Sequence, residues 1–150
     1  MRGWIMPSLG AALAFAAFTL AAPMQPASAA PQSFTVPMNA GSEVPPNDSK
    51  GTGNAQLTYD PASKALSWTV TFSGLTGPAT AAHFHGPAAP GANGPVTVPI
   101  GSGNVTSPAS GARTLTDAQA ADFTAGRWYV NVHTAAHPGG EIRGQINPPK

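Results

Sequence analysis

Between Leu66 and Phe72 the chain alternates without a fault, with Leu66, Trp68, Val70 and Phe72 on one side and Ser67, Thr69 and Thr71 on the other. Successive side chains of a strand point to opposite faces, so this stretch is a β-strand with one face in a core and one in water. The preceding stretch, Gly53 to Tyr59, sets Ala55, Leu57 and Tyr59 against Gln56 and Thr58. Between the two lies Asp60-Pro61-Ala62-Ser63-Lys64, a turn by composition. The pair reads as an antiparallel hairpin.

The remaining chain repeats the theme in shorter pieces. Ser33 to Met38, Thr80 to His85, Pro95 to Ile100, Arg127 to His133 and Glu141 to Ile146 each read as a strand. Glycine and proline number 17 each, which suits many tight turns between short strands. Gly101 to Gly111 shows no period and reads as a loop. Glu43-Val44-Pro45-Pro46 reads as a rigid loop, because adjacent prolines cannot feed a central ladder. One helix is expected: Thr116-Asp117-Ala118-Gln119 is a capping box, and Gly126 ends the segment it opens near Thr124. Roughly seven short strands and one short helix indicate an all-β fold, an antiparallel Greek-key-like sandwich or barrel, with Trp68 and Trp128 in its core.

Residues 1–29 read as a secretory leader. Arg2 supplies the basic end, Leu9 to Ala22 the apolar run, and Ala27-Ser28-Ala29 the small-x-small site, with cleavage before Ala30. No later stretch is apolar enough for a membrane span. The expectation is a single domain, 30–150, secreted or periplasmic. Without Arg2 the six remaining Lys and Arg face six Asp and Glu. Nothing basic is clustered, so nucleic acid and anionic membranes are poor partners. The absence of cysteine excludes a thiolate nucleophile, a thiolate metal site and a disulfide. No Gly-x-Ser-x-Gly elbow, P-loop or dinucleotide fingerprint is present.

The chemistry lies in the histidines. All four fall in two pairs, His83 with His85 and His133 with His137. On a strand His83 and His85 project to one face and Phe84 to the other, about 6–7 Å apart at the backbone. Two such imidazoles can converge on one ion, and a third from another strand completes a site suited to copper or zinc. His133 is the expected third ligand and His137 a candidate fourth. Tyr129 and Asn131 share the face of His133 and are placed to orient imidazoles from behind. Glu141 and Arg143 share a face of the last strand, where Arg143 is the better candidate for attracting an anion to a metal.

Several longer motifs resemble one family. Gly41-Ser42-Glu43-Val44-Pro45-Pro46, Ala82-His83-Phe84-His85-Gly86-Pro87-Ala88, Tyr129-Val130-Asn131-Val132-His133-Thr134 and Pro138-Gly139-Gly140-Glu141-Ile142-Arg143-Gly144-Gln145 are similar to the CHRD domain, named after chordin. The likeness runs from about Phe34 to Ile146 and implies an extracellular all-β module. A slighter likeness joins His83-Phe84-His85, His133 and Arg143 to the copper half of copper/zinc superoxide dismutases, where the arginine draws the anion to copper. The disulfide and the zinc cluster of that family are missing here, so the likeness implies a copper-only site.

Two functional expectations follow. In the first the protein binds copper, or zinc as second choice, and serves as a copper carrier or as a redox centre for a small oxidant such as superoxide. In the second it is a non-enzymatic extracellular module that binds a protein partner, and the histidines only hold loops.

Overall fold

The computed structural model describes residues 29–150, so the leader's basic end and apolar run lie outside the described residues. The strands are β1 (Gln32–Asn39), β2 (Thr52–Asp60), β3 (Ala65–Ser73), β4 (Ala79–His85), β5 (Val96–Val105), β6 (Ala109–Thr114), β7 (Trp128–Thr134) and β8 (Ile142–Ile146). A single 3-10 turn, Ala40–Ser42, follows β1, and the helix α1 (Asp117–Thr124) precedes β7. All strands join one antiparallel sheet in the order β5-β4-β7-β8-β1-β2-β3-β6. The outer strands β5 and β6 follow one another in the chain and touch, so the sheet curls into a nearly closed barrel. The all-β expectation with one short helix holds, in its barrel form.

The hairpin of β2 and β3 sets Leu57 opposite Trp68 and Ala55 opposite Val70, all four inside the barrel. Trp68 meets Phe84 edge to face at 5.2 Å, and Phe84 in turn lies 6.2 Å from Trp128. The capping box forms as expected: the Thr116 hydroxyl accepts from Gln119 N, and Gln119 Oε1 accepts from Thr116 N. It aims α1 so that Phe123 is fully buried, 5.0 Å from Tyr59 and 5.5 Å from Trp128 between ring centroids.

One stretch differs from expectation. Residues 101–111, read as a loop, continue β5 to Val105 and begin β6. Gly111 pairs with Trp68, and a Cβ there would come within 2.5 Å of Cζ2 of that indole. The Trp68 ring takes the space of an inward side chain, so β6 carries no apolar alternation to read.

The outer surface near β7 is also unusual. Every residue of β7 is buried, on both faces. Trp128, Val130 and Val132 point into the barrel. Tyr129, Asn131 and His133 point outward but lie under three loops. These loops are tied together by hydrogen bonds from Asn47 Nδ2 to Glu141 O and from Asn93 Nδ2 to Val44 O. The barrel therefore carries a second, polar layer outside its apolar one.

Candidate metal centre

Strand pairing builds the polar layer row by row. His83 of β4 stands opposite Asn131 of β7, which stands opposite Arg143 of β8. In the next row His85 faces Tyr129, and Tyr129 faces Gln145. His133 stands two residues along from Asn131, opposite the small Ala81, which leaves its ring room to lean toward His83. The two-residue repeat thus converts His-x-His on one strand and Tyr-x-Asn-x-His on the next into one cluster.

His83, His85 and His133 each offer one ring nitrogen within 4.8 Å of the others. His83 Nδ1 and His133 Nε2 are 3.1 Å apart. Two nitrogens that bind one ion at about 2.0–2.1 Å stand at nearly that spacing. The backs of two rings are pinned. His85 Nδ1 is 3.0 Å from the Gly94 carbonyl, and His133 Nδ1 is 2.9 Å from the Pro138 carbonyl. A carbonyl oxygen only accepts, so both rings carry their proton on Nδ1 and present Nε2 as a lone pair. This is the tautomer that metal-binding imidazoles need, held by backbone groups.

The electrostatics agree. Burial, with repulsion from His133 and His85, lowers His83 to about 4. Burial also holds His85 and His133 below the ordinary imidazole value. All three rings are neutral at pH 7, as ligands must be.

Tyr129 supports His85 from the side, with ring centroids 4.7 Å apart and planes 3° from parallel. Arg143 covers the other face of Tyr129, its guanidinium carbon 3.5 Å from the ring centroid. Arg143 also donates to Asn93 Oδ1, the Ala92 carbonyl and Gln145 Oε1. At 2% exposure it is a buried stacking residue, one aromatic ring away from His85.

His137 stands outside the cluster. It follows the end of β7, half-exposed, in a shallow cleft with Pro45, Pro46, Asn47 and Asn93. What it adds is backbone: its N–H donates to the Thr134 carbonyl and its carbonyl accepts from Gly140 N. These bonds shape the turn that brings the Pro138 carbonyl to His133.

Two acidic residues complete this layer. Glu141 is fully buried and accepts from Ser49 Oγ at 2.6 Å, Thr76 N at 2.8 Å, Thr76 Oγ1 at 2.8 Å and Thr134 Oγ1. It ties two loops to the end of β7 and forms no salt bridge among the described residues. Burial pushes its carboxyl up, but these hydrogen bonds outweigh it and hold the group below the usual value. Glu43, expected only as part of a rigid loop, is 4% exposed beneath Gly140. Burial raises its carboxyl to about 7, against the opposing pull of Arg143, Asn131 and the Val44 backbone. The signal for Glu43 is its place two residues before Pro45-Pro46, which turn the loop back over the sheet.

Comparison with known proteins gives one match: the family model of the CHRD domain covers residues 34–146. No curated protein and no solved structure matches the chain. The matched span contains every residue of the polar layer.

Proposed function

This chain belongs to the CHRD domain family, and from that premise we propose that it is an exported module that holds one transition-metal ion between His83, His85 and His133. The observation that carries the reading is the convergence of three ring nitrogens within 4.8 Å, two of them set as lone pairs by backbone carbonyls. A histidine cluster that served only to hold loops would spend both nitrogens of each ring on loop atoms. Here His85 Nε2 has no partner.

Imidazole nitrogens without thiolate suit Cu(II) and Zn(II), and Cu(II) binds such donors more tightly, so copper is the first choice and zinc the second. The secreted or periplasmic location expected of the leader agrees with a family found in extracellular proteins. The geometry favours a copper carrier or buffer over a dismutase. Anion guidance needs a cation at the mouth of the site, and Arg143 is buried behind Tyr129.

The test is calorimetric titration of the purified, metal-stripped protein with Cu(II) and with Zn(II), beside a His83→Ala/His85→Ala double variant. One equivalent of Cu(II) bound by the intact protein and lost in the double variant is expected. Equal binding by both, or none by either, would remove the metal and leave the histidines as loop supports in a protein-binding module.

A further inference from the structure

Asn131 is 1% exposed at the centre of the polar layer, between His83 and Arg143 in the sheet. Its Oδ1 has no hydrogen-bond partner, and neither has His85 Nε2. Glu43 Oε1 is a third such atom. Buried polar atoms are nearly always satisfied, so three orphans in one layer call for a cause.

The orientation of the amide can be read from its neighbours. A Cβ placed on Gly140 would come within 2.7 Å of Asn131 Nδ2 and would collide with Glu43 Oε1. The amide nitrogen and the carboxylate thus lie side by side beneath Gly140. The NH2 end of Asn131 therefore lies beside Glu43, and its carbonyl end is turned the other way, on the sheet face it shares with His83, its partner across the strands. Yet the Gly94 carbonyl fixes the His85 proton on Nδ1, so Nε2 is a lone pair. An unpartnered amide oxygen and an unpartnered imidazole lone pair buried in one layer repel, unless a positive charge or a donor serves them.

From this arrangement we infer that Asn131 Oδ1 is a fourth ligand of the ion held by His83, His85 and His133, its amide nitrogen lying on the side of Glu43. The inference rests on the metal reading above. An amide oxygen beside imidazoles is compatible with Cu(II), whose sites mix nitrogen and oxygen donors. Glu43 stands on the nitrogen side of the amide, so the oxygen is the end left for the ion.

The experiment loads the metal-stripped protein with Cu(II) and records both affinity and the frozen-solution electron paramagnetic resonance spectrum. Wild type, Asn131→Leu, Asn131→Asp and His83→Ala/His85→Ala are compared. Asn131→Leu should weaken Cu(II) binding by about 10–100-fold and shift the spectrum toward fewer oxygen donors. Asn131→Asp, nearly isosteric, should bind at least about tenfold more tightly, because a charged oxygen replaces a neutral one at the ion. This second variant decides the matter if the leucine disrupts folding. Unchanged affinity and spectrum in Asn131→Asp would overturn the inference and leave a bridging water as the partner of both atoms. If wild type binds no Cu(II), the metal reading itself fails. If only the double-histidine variant loses binding, the metal reading stands and the role of Asn131 falls.

Discussion

The phenol ring of Tyr129 lies flat on the imidazole of His85, 4.7 Å away and 3° from parallel. Gly94 binds both, taking the His85 proton on its carbonyl and donating its N–H to the Tyr129 hydroxyl at 3.3 Å. The stack fixes the plane of His85 and the loop fixes its tilt. Tyr129→Phe keeps the stack and loses only the hydroxyl, so Cu(II) affinity should fall less than about threefold. Tyr129→Leu frees the ring and should cost about 10–100-fold. Calorimetry on the two variants separates stacking from hydrogen bonding, and equal losses would show that the hydroxyl alone matters.

Acidity should act on the three rings together. Each is neutral in the folded chain at a pH where the unfolded chain holds a proton, since burial lowers all three. A group of this kind makes the fold less stable as pH falls from about 6.5, the unfolded value, toward about 4, the folded value of His83. Urea midpoints of the metal-free protein between pH 7 and pH 4 should drop less steeply in the His83→Ala/His85→Ala variant than in wild type.

Glu43 runs the other way. Its carboxyl sits at about 7 in the fold against 4.5 as a model value, so the folded state holds the extra proton between those limits. Stability from this group is present at pH 4.5 and is lost as pH rises through 7. Comparing Glu43→Gln with wild type should therefore show a gap that moves in favour of the variant between pH 5 and pH 8. A gap constant across that range would mean that Glu43 is ionised throughout.

Glu141 carries the loops that roof the layer. Replacing it by alanine leaves the hydroxyls of Ser49, Thr76 and Thr134 without their acceptor. A loss of about 3 kcal/mol or more in chemical denaturation is expected, as for breaking a buried network around a charge. Glu141→Gln keeps the shape and should lose less.

Gly111→Ala tests the reading of β6. The added methyl meets the Trp68 indole at 2.5 Å, so overpacking should cost about 1–3 kcal/mol. Ala112→Val, an exposed neighbour on the same strand, should change little.

Most of the barrel was legible because its strands keep one face wet: β2 and β3 alternate openly, and the capping box marks α1. β6 was not, since a residue that yields its space to Trp68 leaves no hydrophobic signal. The site was legible where it follows a single strand, as in His83 with His85, and Tyr129 and Asn131 with His133. It misled where nearness in sequence stood in for nearness in space, because His137 lies past the strand end. Arg143 was placed on the correct face, but only the register with Tyr129 shows that it stacks instead of facing solvent. Glu43 reaches the layer by a loop, and no periodicity reports that.

Phe84 and its two histidine neighbours also tie site to fold. Because Phe84 points into the barrel while His83 and His85 point out, a slip of β4 by one residue would drive two imidazoles into the core and expel the phenylalanine. The cluster exists in one alignment of β4 with β7 only, joining His83 to a histidine 50 positions further along the chain. An ion held there would act as a clasp on the finished topology, unable to grip a partly paired or misaligned chain.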